Sequence, residues 1–256
     1  MTVIAVISPK GGVGKTTFTV NLACAFASRG HVCRLIDLDP QNALHLHLGA
    51  DPRDAGGLVH QTLQQANWRH AEFDSAYGVS FIPYGKVSEV ERISFEAHLS
   101  RTPNWLRDNL AALGREPDMF TFIDTPPGPS VYVQQVLAVA NLALVVMIPD
   151  AGSYATLNSV EGLLDYYCAG RVGFLGSYYV LNQFDAALPL NRDIQNVMKQ
   201  GLGQRLAPYN IHRDEALSEA LAFQQPVQQY APYSQATEDL SLLSEWLDNL
   251  IDRVGR

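Results

Sequence analysis

Basic residues are in short supply. Eighteen lysines and arginines stand against 26 aspartates and glutamates, for a net charge of −8. A broadly basic surface of the kind that binds nucleic acid nonspecifically is therefore not expected, although a local basic patch is compatible with this balance. Charged residues of both signs reach only 17 %, and 47 % of residues are hydrophobic, which places the chain among folded soluble proteins rather than disordered ones. Long apolar runs are missing. The best candidate, residues 136–148, is short and interrupted by Asn141, so no membrane span is expected. Cysteine is scarce: Cys24, Cys33 and Cys168 are odd in number and lack metal-ligand spacing. They read as buried structural thiols of a reducing cytoplasm. A strand pattern starts within two residues of Met1, so no secretory leader is expected. Repeats, linkers and low-complexity tracts are absent, and residues 1–256 read as one large α/β domain with a proper core.

What is present is organised around Ile4 and the residues up to Thr17. A β-branched run enters Ser8-Pro9-Lys10-Gly11-Gly12-Val13-Gly14-Lys15-Thr16-Thr17, and a helical pattern follows at once. That is strand, phosphate loop, helix. Gly11, Gly12 and Gly14 carry no side chain to block a phosphate and allow positive φ. Their N–H groups and those of Val13 to Thr17 can converge on a diphosphate, with the helix N-terminus behind them. Lys15 supplies a charge for the β- and γ-phosphates, and Thr16 a hydroxyl for Mg²⁺. The generic spacing wants glycine at position 9, where this chain has proline, and Lys10 adds a second lysine before the glycine pair.

Two more segments reach the same edge of the predicted sheet. The second strand, 32–38, ends in Asp37-Leu38-Asp39-Pro40-Gln41. Carboxylates two apart on a strand point to one side, although Asp-Pro is also an ordinary turn. A buried strand at 119–123 delivers Asp124-Thr125-Pro126-Pro127-Gly128. The carboxyl ends of parallel strands are where open α/β sheets bind ligands.

Together these motifs resemble the deviant Walker A ATPases of the ParA/MinD family, over nearly the whole chain. The resemblance implies a Mg-ATPase that forms an ATP-dependent homodimer with nucleotides between the subunits. By it, Lys10 is the lysine that reaches the partner's phosphates, Lys15 is the P-loop lysine, and Asp39 orients the attacking water. Asp37 supports the magnesium shell, Asp124 holds Mg²⁺ through water alongside Thr16, and Gly128 senses the γ-phosphate with its N–H. Asn182 follows the strand at 174–181 and takes the place of an adenine contact, although an Asn there also caps turns. Arg213, in Ile211-His212-Arg213-Asp214-Glu215, lies in a loop that packs near the base; it either touches nucleotide or pairs with Asp214.

The remaining pattern alternates strands (79–83, 142–148) with helices (58–65, 154–167, 190–202 and helical patterns up to about residue 113). This predicts a single doubly wound, mostly parallel sheet flanked by helices. His45 and His47, two apart, read as surface or packing residues rather than a metal site. The last helix, 235–254, places Leu240, Leu243, Trp246, Leu247, Leu250 and Ile251 on one stripe. Its acidic balance disfavours anionic membrane, so it is expected to pack on the domain.

Two less generic segments narrow the resemblance. Asn67-Trp68-Arg69 with Phe81-Ile82-Pro83-Tyr84-Gly85, and Ile211 to Ala216 with Gln225-Pro226-Val227 and Tyr230, resemble the ParA/MinD-type proteins of bacterial cellulose-synthesis operons, the BcsQ group. This implies a cytoplasmic ATPase, recruited through partners to the inner-membrane face. There it would position the cellulose synthase complex with a small cellulose-operon partner. Direct membrane insertion is not expected, and DNA binding is disfavoured. The rival readings are a DNA partition ATPase, an iron–sulfur reductase of the nitrogenase iron-protein type, which needs cysteines at the dimer face, and a scaffold that binds ATP without turnover.

Overall fold

In a computed structural model, residues 1–50, 56–114 and 118–254 are described. Seven strands form one sheet: β1 (Thr2–Ile7), β2 (Val32–Asp37), β3 (Phe73–Asp74), β4 (Val79–Ile82), β5 (Met119–Asp124), β6 (Leu142–Met147) and β7 (Gly176–Leu181). Their order is β3-β4-β2-β5-β1-β6-β7, and all pairs are parallel except β3–β4. β5 and β6 are buried along their whole length, as strands covered on both faces must be.

The period-two alternation of β1 divides the core. Val3, Ala5 and Ile7 face a layer with Ile36, Ile123 and Val145, roofed by α3 (Glu89–Arg101), α4 (Trp105–Ala112), α5 (Val131–Leu137), α7 (Leu157–Cys168) and α8 (Pro189–Leu202). Ile4 and Val6 face the other layer, with Leu35, Phe122 and Leu144 beneath α1 (Lys15–Ser28) and α11 (Gln235–Val254). α1 is sandwiched between sheet and α11, which explains why Phe18 and Val20 to Phe26 are buried all round. On α11, Leu240, Leu243, Leu247 and Ile251 are buried and Trp246 and Leu250 pack partly, so the predicted stripe faces the domain. All three cysteines are buried and free. Among the described residues no helix is long and apolar enough to cross a membrane.

The structure departs from the sequence reading in particular places. The helix expected over 154–167 is two helices, α6 (Ala151–Ala155) and α7, broken at Thr156, whose hydroxyl bonds the Ser153 carbonyl at 2.6 Å. The helical pattern up to residue 113 divides into α3 and α4 around Pro103. The helix at 58–65 is shorter, α2 (Leu58–Leu63), and part of the irregular stretch before it lies outside the described residues. The antiparallel pair β3–β4 is too short to carry a pattern. Two short helices, α9 (Glu215–Ala222) and α10 (Val227–Tyr230), complete the chain between α8 and α11.

Register sets the functional edge. Val6 pairs with Asp124 and Asp37 pairs with Asp124, so β1, β5 and β2 end level and release their loops side by side. Near this edge, Asp214 ties two helices together: one oxygen caps α9 through the Ala216 N–H, and the other accepts from Ala236 N–H in the first turn of α11, both at 2.9 Å. Asp214→Ala should therefore lower the unfolding free energy by about 2 kcal/mol in urea denaturation, one cap's worth from each helix. Glu89→Ala, at an exposed ion pair on α3, should leave it nearly unchanged.

Candidate functional site

The loop after β1 turns into α1 through Gly12 and Gly14, both in the left-handed region at φ +75° and +79°. A Cβ on Gly14 would come 2.8 Å from the Asn182 amide nitrogen, so glycine there is required by packing as well as by φ. Lys15 opens the helix and turns its Nζ onto Asp124 Oδ1 at 2.9 Å, with side chains only 6 % and 0 % exposed. Thr16 Oγ1 donates to the other Asp124 oxygen at 2.5 Å. Thr19, one turn on, donates to the Lys15 carbonyl at 2.9 Å and approaches Asp124 Oδ1 at 3.3 Å. Three side chains of α1 thus converge on one buried carboxylate from β5.

Asp37 ends β2 beside it. Its oxygens accept the N–H groups of Asp39 (2.9 Å) and Leu44 (3.1 Å), so it folds the loop that follows. Burial pushes the Asp37 carboxyl well above the usual range, and the Asp124 charge adds to this. Asp39 Oδ1 accepts from Gln41 N–H at 2.9 Å. Its carboxyl is also raised, chiefly by burial, against the opposing pull of that bond and of Lys15. Lys15 bonds Asp124 and its charge acts on Asp39, while the Asp124 charge acts on both Asp37 and Asp39. The Thr16 hydroxyl beside the Asp124 carboxylate offers hard oxygen donors of the kind that could take Mg²⁺, with Asp37 at the next strand end; among the described residues no three His, Cys, Asp or Glu side chains are grouped to hold a metal by themselves.

Two groups to which the resemblance gives phosphate roles have partners within the chain. Lys10 Nζ pairs with Asp150 Oδ2 at 3.0 Å. Asp150 also caps α6 through Ser153 N–H. Partial burial raises its carboxyl, but the bonds from Ser153 and Lys10 outweigh that and hold it below the ordinary range. Gly128, at φ +72°, donates its N–H to the Ser8 carbonyl at 2.8 Å. Asp150 carried no signal in the reading of motifs, although β6 delivers it to the same edge.

Beside the loop lies a cleft of about 450 Å³, bordered by Gly14, Thr17, Asn182, Gln183, His212 and Arg213. Asn182 Nδ2 donates one of its two N–H groups to the Val13 carbonyl at 2.7 Å, which leaves the second N–H and Oδ1. His212 is held by Asp239 Oδ2, which accepts both its N–H and its ring Nδ1 at 2.8 Å. Arg213 borders the cleft without pairing with Asp214, whose two oxygens are taken up by α9 and α11. The structure thus brings Lys10, Gly11, Gly12, Val13, Gly14, Lys15, Thr16, Thr17, Asp37, Asp39 and Asp124 to one edge, with Asn182 and Arg213 at the adjoining cleft.

His47 lies in the 3₁₀ turn Leu44–Leu48 that follows the Asp39 loop and is buried. Burial pushes its imidazole down to about 4, despite the Asp124 charge. A depressed histidine contributes stability that is present above the unfolded value of 6.5 and lost as pH falls towards 4. Asp37 and Asp39, being raised, have the opposite sign: their contribution is present at low pH and lost as pH rises through their folded values. The His47 part is isolated by comparing variants at one pH. Relative to His47→Leu, the wild type should lose up to about 3 kcal/mol between pH 7 and pH 4, read from denaturant midpoints.

Comparisons with known proteins bear on the family and the fold. The family model described as cellulose biosynthesis protein BcsQ matches residues 1–247. The cellulose biosynthesis protein BcsQ of Escherichia coli K12 is 29 % identical over 249 residues, 96 % of this chain and 94 % of that one. The chromosome-partitioning ATPase Soj of Thermus thermophilus is 29 % identical over 248 residues, covering 94 % and 93 % of the two chains. Among solved structures, the septum site-determining protein MinD of Pyrococcus horikoshii, complexed with Mg-ADP, superposes with a TM-score of 0.80 at 24 % identity, over 99 % of this chain and 98 % of that one. The fold is that of the ParA/MinD P-loop proteins.

Proposed function

The chain belongs to the family of cellulose biosynthesis protein BcsQ, of the ParA/MinD ATPase type, and we propose that its 256 residues form one domain that binds and hydrolyses ATP with Mg²⁺. The observation that carries this reading is the convergence of Lys15 and Thr16 on the buried Asp124 at the carboxyl edge of the sheet. A β1 loop rich in glycine, a lysine and a hydroxyl beside a strand-end carboxylate are the parts that phosphoryl transfer needs, since that chemistry is chiefly positioning and charge stabilisation.

Lys15 and the N-terminus of α1 bind the phosphates. Thr16, Asp124 and Asp37 would hold Mg²⁺, which when bound would neutralise phosphate charge. Asp39 orients the attacking water, and its burial favours a proton-accepting role over a surface one. Lys10 exchanges Asp150 for the phosphates of a second copy, so that turnover depends on an ATP-bound homodimer. Asn182 accepts from the exocyclic amino group of adenine, and Arg213 lies against the base.

By family, the ATP-bound dimer presents a surface that recruits or positions the cellulose synthase complex at the inner-membrane face, together with a small partner of the same operon. Partition of DNA is the second reading, supported by the likeness to Soj and opposed by the net charge of −8. An iron–sulfur role is not supported, because Cys24, Cys33 and Cys168 are buried in α1, β2 and α7 rather than in the loops at the site.

With MgATP, light scattering should find a dimer for the wild type and for Asp39→Ala, and a monomer for Lys10→Ala and Lys15→Ala. Phosphate release should fall roughly 10³-fold or more in Lys10→Ala. Unchanged dimerisation and turnover in Lys10→Ala would remove the cross-subunit role. Asp39→Ala purified from its own cells should bring down cellulose synthase subunits or the small partner; chromosomal DNA with an adaptor would move the protein to the partition class.

A further inference from the structure

α5 follows the Asp124–Gly128 loop directly, and two of its inward side chains are polar. Gln135, 4 % exposed, is fully employed at the corner between α3 and α4. Its Nε2 donates to the Leu99 and Thr102 carbonyls (3.1 and 2.9 Å), and its Oε1 accepts from Leu106 N–H (3.2 Å). Tyr132, 3 % exposed, makes a second attachment one turn earlier. Its hydroxyl lies 2.8 Å from that of Tyr84 and 3.1 Å from Glu96 Oε1 on α3.

The direction of this chain of bonds follows from chemistry. A carboxylate only accepts, so Tyr132 donates to Glu96, and Tyr84 donates to Tyr132. Burial raises both phenols, so both protons stay in place. Arg92 Nη1 holds the same Glu96 oxygen at 2.5 Å. At the other end, Gly85 donates its N–H to Asn42 Oδ1 at 3.1 Å, and Asn42 belongs to the loop that carries Asp39. The rings of Tyr84, Phe95 and Tyr132 pack together in an otherwise apolar cluster. Phenylalanine would fill either tyrosine's place there; the hydroxyls serve something other than filling.

We infer that Tyr132 is a positioning residue for ATP hydrolysis: its hydroxyl, set between Tyr84 and Glu96, holds α5 so that the loop ending at Gly128 stands in register with the loop of Asp39. The inference rests on the ATPase reading above. Tyr132 is buried among Tyr84, Phe95 and Glu96 and is assigned no contact with the reacting atoms. It acts by limiting the excursions of a loop whose placement decides whether the reacting atoms meet, and misplacement of about 1 Å is enough to slow such a reaction.

The bond directions predict an order of effects. Tyr132→Phe removes the donor to Glu96 and leaves the buried Tyr84 proton without an acceptor, whereas Tyr84→Phe leaves the Tyr132–Glu96 bond intact. Steady-state ATP turnover with partners present should show kcat about three- to tenfold lower in Tyr132→Phe, with KM and MgADP affinity within about twofold of wild type. Tyr84→Phe should lose less. Glu96→Gln, which keeps an acceptor oxygen, should stay near wild type, and Glu96→Ala should resemble Tyr132→Phe. The half-exposed position of Glu96 keeps the comparison open if Tyr132→Phe does not fold. A packing role alone would lower the melting temperature of both tyrosine variants and leave kcat unchanged well below it; that result, or Glu96→Gln behaving as Glu96→Ala, overturns the inference. No nucleotide binding or turnover in the wild type would instead overturn the ATPase reading and this inference with it.

Discussion

The buried carboxylate of Asp124 is the interaction on which the functional edge depends. It sits at the end of a strand buried on both faces, where an unpaired charge costs several kcal/mol. Lys15, Thr16 and Thr19 offset that cost, and all three come from the first turns of one helix. The pairing therefore fixes the helix against β5, and with it the glycine loop between β1 and α1. A break on either side would leave a charge in the core and release the loop together.

The surrounding groups follow the same logic. Asp37 accepts two backbone N–H groups of the loop it precedes, Asp150 accepts Lys10 and caps α6, Ser8 accepts from Gly128, and Val13 accepts from Asn182. Lys10, Lys15, Thr16, Asp37, Asp39, Asp124 and Asn182 thus each have a partner from their own chain. Such partners keep buried polar groups satisfied and define which bonds an incoming ligand or second subunit has to replace. Away from the loops, Tyr132 and Gln135 fasten α5 to α3 and α4 by side chains inside the apolar layer. Polar contacts within a core are worth more for register than for stability.

Much of this was legible in the sequence because it is local. The strand–loop–helix at residues 4–17 needs only consecutive residues, and so do the strand-end carboxylates at 37 and 124. Buried parallel strands announce themselves as apolar runs, and their alternation with helical periodicity predicts the sheet. The stripe on α11 followed from its spacing, and its packing against the domain agrees. The break at Thr156 was not visible, since it depends on a side chain bonding back to the Ser153 carbonyl inside an otherwise helical pattern. The two residues of β3 were too few to show a period. Arg213 had two readings of equal standing, and the sequence did not show that α9 and α11 take up the Asp214 oxygens.

By itself, the amino-acid order determined most of the strand–helix alternation, the glycine-loop motif and the family, because each of these is written in short spacings of side-chain type and backbone permissiveness. Tertiary structure decided which groups meet. That Lys10 reaches Asp150, that Asn182 turns its donor to Val13, and that Tyr84, Tyr132 and Glu96 form one directed chain depend on strand order and register. These partners are separated by 140, 169 and 48 residues in the first three bonds. No local pattern encodes such a pairing. It arises when the parallel sheet aligns its strand ends and the core leaves each buried polar atom few partners within reach.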